Sequence, residues 1–143
     1  MVERGGNARL FHLITPDKVT VEKIVRDNIA KEAILYTDES RLYTGSAHHF
    51  SAHETVTHSK NEYVRGDVHT NTVEGAFSIF KRGMKGAYQH CAEKHLHRYL
   101  AEFEFRYNTR TALGVNDAER TMKVMAGIEG KRLTYRRPHE AVV

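Results

Sequence analysis

The chain has 143 residues and a formal net charge of +4; 40% of its residues are hydrophobic and 28% charged, which is typical of one globular domain and excludes a largely disordered chain. Its one cysteine excludes an internal disulfide and a cysteine-rich zinc site, and it has neither an apolar run of membrane-spanning length nor an apolar signal segment after residues 1–6. We therefore expect a soluble, cytoplasmic protein that makes no membrane contact.

The first elements predicted along the chain are a hairpin and a helix. Gly-Gly-Asn at 5–7 separates the extended segments 2–4 and 8–14 and provides the positive φ angles of a tight turn. Thr20 is a candidate cap for a helix with one apolar face. The apolar positions of that face are Val21, Ile24, Val25 and Ile29.

A short strand and an irregular segment come next. The mostly apolar run 33–37 is typical of a buried parallel strand, and Asp38 follows its carboxyl end, where open α/β sheets place their ligand sites. Residues 39–70 lack strong periodicity. We predict a short helix near 39–44 and a strand near 55–57 within them.

The rest of the chain is predicted to be helical. A helix starting at Asn71 and a second helix are separated by Gly83 and Gly86, and a last helix at 117–126 ends at Gly127, before a basic tail at 131–138. The apolar stripe of the first is Val73, Ala76, Phe77 and Phe80; that of the second is Leu96, Tyr99, Leu100, Phe103 and Tyr107. We assign the aromatic members of the second stripe to the core and not to base stacking.

Charge is distributed unevenly between the two parts of the chain. Residues 1–80 have 9 Lys and Arg against 11 Asp and Glu, whereas residues 81–143 have 13 against 7. A basic segment favours binding to a polyanion, because Lys and Arg release counterions condensed on phosphates. A solvated basic face would have the same composition, so charge alone leaves nucleic-acid binding open.

Two acids are candidates for a metal site. Glu74 lies on the polar face of its predicted helix with Asn71 and Lys81, and Asp38 lies at a strand end. Two carboxylates from separate elements suit a two-metal phosphoryl-transfer site. On spacing alone, however, the favoured interpretation is structural: Asn71 and Glu74 also match a capping box, and Asp38 could cap the following helix.

The amino-acid sequences of several segments favour the metal-site interpretation instead. Residues 36–39 (YTDE), 58–75 (HSKNEYVRGDVHTNTVEG), 80–83 (FKRG), 94–100 (KHLHRYL) and 105–110 (FRYNTR) resemble the catalytic domain of ISXO-like insertion-sequence transposases. The resemblance covers about 110 residues, from the hairpin to Arg110. It implies the ribonuclease H-like DDE superfamily: an α/β fold with a mixed sheet flanked by helices, a two-Mg²⁺ site, DNA strand cleavage at element ends and transfer of the 3′-hydroxyl into target DNA.

The resemblance also assigns roles to individual residues. It makes Asp38 the second catalytic Asp and Glu74 the final acid, with 35 residues between them, as ligands of Mg²⁺ or Mn²⁺. Asn71 is a rival for the third metal position, because some relatives place Asn there. Lys81, seven residues after Glu74, matches a DNA-contacting cation. The candidate DNA-binding residues are Lys81, Arg82, Lys85, Lys94 and Arg98.

The first acid of the family's triad has no counterpart in this sequence. The resemblance places it on a strand before the hairpin, whereas Glu3, Asp17 and Asp27 belong to the second strand, a turn and a helix. We therefore expect a partial ribonuclease H-like domain at 1–113 that lacks the first strand, and a C-terminal helix with a basic tail at 114–143. We also expect that this chain alone does not catalyse strand transfer.

Two alternatives remain open from the sequence. The transposase resemblance implies a nucleoid-associated protein that works as a homo-oligomer or with a full-length transposase. As the first alternative, the chain could be a non-catalytic DNA-binding or regulatory remnant that still occupies element ends or partners a full-length transposase. It could instead bind zinc through histidines of the irregular segment, although their spacing fits no standard ligand pattern. Those histidines are His48, His49, His53, His58 and His69.

Overall fold

The computed structural model of the chain describes residues 1–60 and 64–131, without the side chains of Ala47 and Lys60. It is an α/β structure, which confirms the predicted class. The helices are α1 (Lys18–Asn28), α2 (Asn71–Gly83), α3 (Leu96–Asn108) and α4 (Asp117–Ala126). The strands are β1 (Ile34–Thr37), β2 (Ala52–Thr55), β3 (Val64–Arg65) and β4 (Val68–His69).

The described strands form two separate two-stranded sheets. β1 and β2 pair in parallel, with Ile34 opposite Ala52, and β3 and β4 form an antiparallel hairpin. A single mixed sheet is not formed by these strands, so the ribonuclease H-like architecture stays a prediction. The chain divides into two compact units, Met1–Asn108 and a second beginning at Thr109. No helix within the described residues has the length and apolar character needed to cross a membrane.

The predicted N-terminal hairpin is present but shorter than expected. Val2 bridges Ala8, the Glu3 amide donates to the Asn7 carbonyl at 2.8 Å, and Gly5 turns the chain with φ +70°. Such an angle is rarely adopted by residues other than glycine. Residues 9–14 do not continue as a strand.

Side chains of α3 bind the backbone of the second hairpin segment, at Ala8, and of the chain that follows it, at Leu10. Asn108 accepts a hydrogen bond from the Ala8 amide at 2.6 Å and donates one to the Ala8 carbonyl at 2.9 Å. One turn earlier, Glu104 accepts from the Leu10 amide at 2.8 Å. These bonds satisfy the groups that a neighbouring strand would otherwise pair.

We expect Asn108→Leu to lower the free energy of unfolding by about 3 kcal/mol, because it leaves both polar groups of Ala8 unpaired at a residue only 3% exposed. Urea denaturation measures this. Arg106→Gln on the same helix, which removes an exposed ion pair with Glu102, is the control and should cost less than about 0.5 kcal/mol. Equal effects of the two substitutions would contradict the explanation.

Helix α1 has the predicted apolar face but a different cap. Val21 and Val25 are buried, as expected. The cap is Asp17, and the prediction of Thr20 was wrong: the Asp17 carboxylate accepts from both the amide and the hydroxyl of Thr20, at 3.0 and 2.6 Å. A carboxylate satisfies the unpaired amides of a first turn and lies favourably at the positive end of the helix dipole. The Thr20 bonds hold the pKa of Asp17 below its usual value.

The predicted parallel strand is confirmed, but its burial is not. β1 buries Thr37, whereas Ile34 is about half exposed. The short helix predicted near 39–44 is a 3₁₀ turn at Arg41–Tyr43, and the strand predicted near 55–57 is β2, three residues earlier. Val56, directly after β2, is fully buried and donates its amide to the Thr37 carbonyl at 3.0 Å.

Helices α2 and α3 pack through aromatic edges. Phe80 contacts Phe103 in a T-shaped arrangement with centroids 5.3 Å apart, and Tyr107 extends the contact from Phe103. Phe103 and Tyr107 therefore pack against other rings, as the core assignment predicts, but neither is fully buried. Phe77 does not follow the prediction, because 44% of it is exposed while its neighbour Ala76 is buried.

The last helix, α4, has the predicted bounds and ends at Gly127. Asn116 caps it through a complete capping box with Glu119, in which each side chain accepts from the other residue's amide. The predicted basic tail lies outside the described residues from position 132 onward.

Candidate functional site

Asp38 is exposed at the carboxyl end of β1. Its Oδ1 accepts a hydrogen bond from the Ser40 amide at 3.1 Å, and within the described residues its other oxygen has no partner. The next helical turn is capped by Ser40, whose hydroxyl accepts from the Leu42 amide, so the capping interpretation of Asp38 was wrong. Asp38 thus presents a carboxylate oxygen to solvent at a strand end.

Glu74 lies in the first turn of α2, and its side chain is 55% exposed. Its Oε1 accepts a hydrogen bond from the Thr70 hydroxyl at 2.6 Å, and its amide donates to the Thr70 carbonyl at 3.0 Å. Thr70 is the residue that precedes the helix, and Asn71 is the first helical residue. The capping box predicted between Asn71 and Glu74 is therefore wrong. The second carboxylate oxygen of Glu74 has no partner among residues 1–60 and 64–131.

A chain of hydrogen bonds connects the segment after β1 with the start of α2. Glu39, next to Asp38, accepts from the amides of His58 and Ser59 at 2.8 and 3.0 Å. The His58 ring Nε2 lies 3.2 Å from the Thr70 hydroxyl oxygen and 3.7 Å from the Glu74 carboxylate. We call these contacts the Glu39–His58–Thr70 bridge. The bond from the His58 amide is the main cause of a pKa of Glu39 below its usual value.

A second threonine–histidine pair lies beside Asp38. The buried Thr37 hydroxyl donates to the Asp38 carbonyl at 3.0 Å and lies 2.8 Å from the His53 ring Nε2. Burial lowers the pKa of His53, which favours its neutral ring. Each candidate acid therefore has a buried threonine close by in the chain, and a histidine contacts the hydroxyl of each threonine.

Glu39 and Thr70 were not singled out from the sequence, and His58 was singled out only as a possible zinc ligand. Glu39 and His58 occur in the segments that resemble transposases, but no periodicity indicates a bond between residues 19 positions apart. The nearest available signal was Thr70, a capping residue type directly before a helix. Its hydroxyl donates to a carboxylate instead of accepting from an amide.

The candidate DNA-binding residues are all exposed on the part of the chain from α2 to α3. None of them has a hydrogen bond or ion pair with any residue in the described ranges, so their charges are available to an anionic ligand. Lys81 and Arg82 lie in the last turn of α2, and Lys85 in the turn Met84–Tyr88 that follows. Lys94 belongs to the 3₁₀ turn Glu93–His95, and Arg98 to α3.

The donor chemistry of Asp38 and Glu74 fits a hard cation. In both, one carboxylate oxygen accepts no hydrogen bond from a described residue, and Mg²⁺ prefers oxygen ligands. Asn71, also exposed and one turn before Glu74, could add an amide oxygen. Within the described parts of the chain, no group of three or more His, Cys, Asp or Glu could hold a metal ion. These side chains are thus the type of oxygen ligand that Mg²⁺ prefers, but they are few.

Three of the five candidate histidines of the irregular segment each contact a different residue. His49 pairs with Glu22 at 3.0 Å, His53 with Thr37, and His58 with Thr70. The zinc alternative gains no support from these contacts.

Comparison with known proteins identifies the family. The family model of the ISXO2-like transposase domain matches residues 1–108. The chain belongs to this family. A protein of Halobacterium salinarum, named as an uncharacterized protein in transposable element ISH50, is 32% identical over 111 residues, which cover 74% of this chain and 36% of that protein. No solved structure matches the chain.

The transposase resemblance predicted from the sequence is thereby confirmed. All candidate acids and basic residues fall within the matched transposase domain. The chain spans about a third of the length of the relative from ISH50, so the activity of a whole transposase does not transfer to it directly. The matched region ends at Asn108, where the first compact unit also ends.

Proposed function

We propose that residues 1–108 form part of the catalytic domain of a DDE-type, ribonuclease H-like transposase that acts in DNA transposition of an insertion sequence. Asp38 and Glu74 would supply two of its metal-binding carboxylates. The observation that carries the proposal is the Glu39–His58–Thr70 bridge, which connects the strand end bearing Asp38 to the helix turn bearing Glu74.

The roles follow from the chemistry of these side chains. Asp38 and Glu74 would hold Mg²⁺ or Mn²⁺ through their unpartnered oxygens, with Asn71 as an alternative ligand beside Glu74. When bound, the metal supplies Lewis-acid stabilisation of the phosphoryl oxygens and activates the attacking hydroxyl. Lys81 and Arg82, at the other end of α2, would bind the backbone phosphates and so position the DNA.

The partners of this site would be the DNA of the element ends and of the target, in the nucleoid. DDE transposases generally act as multimers on paired ends, so a second copy of this chain or a full-length transposase would complete the assembly. Lys85, Lys94 and Arg98 would extend the DNA contact beyond α2, because they too are exposed and unpaired within the described residues.

Divalent-cation binding tests the proposed acids. We expect weak Mn²⁺ binding, with a Kd on the order of 10⁻³ M because few charged ligands take part, and at least about tenfold weaker binding in Asp38→Asn and in Glu74→Gln. The decrease in the EPR signal of free Mn²⁺ measures this binding. Asp27→Asn, which removes an exposed acid of α1, is the matched control and should bind as the wild type does. Unchanged binding in both site variants would refute their assignment.

A second candidate function is a non-catalytic, DNA-binding or regulatory transposase fragment. The exposed and unpaired basic residues favour it, as does the absence of a three-ligand group from the described residues. It predicts DNA binding that does not depend on a divalent cation. The two candidates differ in whether Asp38 and Glu74 matter for any function, which the Mn²⁺ experiment measures.

A further inference from the structure

We propose that His58 and Thr70 are positioning residues that fix the Glu74 carboxylate before a cation binds, and that Glu39 anchors them to the strand end bearing Asp38. This inference rests on the proposed function. It adds three residues whose side chains do not themselves have to touch metal or DNA.

The hydrogen-bond directions follow from proton counting. The Thr70 hydroxyl has one proton, and the 2.6 Å contact with Glu74 Oε1 uses it, since an ionised carboxylate only accepts. The Thr70 oxygen must then accept from His58, so Nε2 of His58 carries a proton. The hydrogen-bond geometry therefore assigns a proton to Nε2 of this ring.

Thr70 lies where it can restrict the conformation of the Glu74 side chain. It is only 8% exposed, and its carbonyl and hydroxyl both bind Glu74, through the amide and the carboxylate. One carboxylate oxygen of Glu74 is thereby held toward His58, and the other is left for a ligand. A carboxylate oriented in advance loses less rotamer freedom when it binds a cation.

Glu39 connects this arrangement to Asp38. Its two carboxylate oxygens accept from successive amides in the turn His58–Lys60, so the backbone carrying the His58 ring is attached to the residue after Asp38. A change at either end of the bridge is thus expected to alter the relative placement of the two acids. A purely structural role would instead affect stability alone.

The test measures Mn²⁺ binding and the ¹⁵N NMR of the His58 ring in the 143-residue chain and its variants. Partners that orient metal-binding side chains commonly contribute 10–100-fold to metal affinity, so we expect His58→Ala and Thr70→Val each to weaken Mn²⁺ binding about tenfold. Thr70→Ser keeps the hydroxyl and should bind as the wild type does. The ¹⁵N spectrum should show His58 protonated at Nε2 in the wild type and a mixture of tautomers in Thr70→Val.

His49→Ala is the matched control, because it removes another histidine–carboxylate pair that involves neither candidate acid. It should leave Mn²⁺ affinity unchanged, and thermal unfolding of every variant identifies any that fails to fold. Wild-type affinity in both His58→Ala and Thr70→Val, or equal loss in His49→Ala, would overturn the positioning role. Wild-type Mn²⁺ binding that is insensitive to Asp38→Asn and Glu74→Gln would instead overturn the proposed function.

Discussion

Neutralising Lys81 and Arg82 together, as Gln, is expected to weaken binding of the chain to duplex DNA about 50-fold at 0.1 M salt. Each phosphate contact contributes about 0.9 to the slope of log affinity against log salt, so losing two should reduce that slope by about 2. Both residues are exposed in the last turn of α2 and unpaired within the described residues, so no internal ion pair offsets the loss. The effect should be independent of DNA sequence.

Fluorescence anisotropy over a series of salt concentrations measures this prediction. Lys18→Gln with Lys23→Gln is the matched control: it removes the same charge from exposed positions of α1 that also lack partners in the described ranges. The control should change affinity only slightly. If both double variants lose the same affinity, net charge and not a surface around α2 governs DNA binding.

Strand transfer by the 143-residue chain alone is expected to be undetectable. The proposed site has two carboxylates, whereas the acidic triad that the family resemblance implies has three. Losing one metal-holding carboxylate removes several kcal/mol of transition-state stabilisation, which corresponds to about 10³-fold or more in rate. DNA binding by the same preparation should persist, because the basic residues do not require the metal.

A joining assay with end-matched DNA and Mg²⁺ checks this expectation. Glu74→Gln provides the background, and the wild-type chain should not exceed it. Mg²⁺-dependent joining that Glu74→Gln abolishes would contradict the expectation. In that case Asn71→Ala would show whether the amide of Asn71 acts as a ligand.

Capping boxes illustrate how far local sequence reasoning extends in this protein. Asn116 and Glu119 form one, whereas Asn71 and Glu74 have the same spacing and do not. The difference is Thr70, whose buried hydroxyl binds Glu74 in the second case. A three-residue pattern cannot reveal which competing partner a carboxylate finds, because that partner is fixed by the surrounding packing.

Elements dictated by local conformation were predictable, and those that depend on long-range contacts were not. The turn at Gly5 and the bounds of α4 agree with the sequence because glycine and cap preferences act locally. The early end of the hairpin strand reflects Asn108, 100 positions away from Ala8. Phe77 fits a helical stripe, yet its exposure depends on which neighbours cover it.

The two candidate acids themselves were identified by resemblance and not by spacing. Asp38 and Glu74 are ordinary exposed carboxylates when considered singly. Only the resemblance of the surrounding segments to transposases assigned them a role. What the structure adds is the connection between them through Glu39 and His58. That connection makes a common cation site a testable property of this chain.

Paramagnetic NMR with Mn²⁺ tests this central claim most directly, because each amide loses intensity according to its distance from the bound ion. In the wild-type chain, amides around Asp38 and around Glu74 should broaden together, over the same range of Mn²⁺ concentration, before those around His49. Broadening at only one of the two acids, or strongest broadening elsewhere in the chain, would contradict the account.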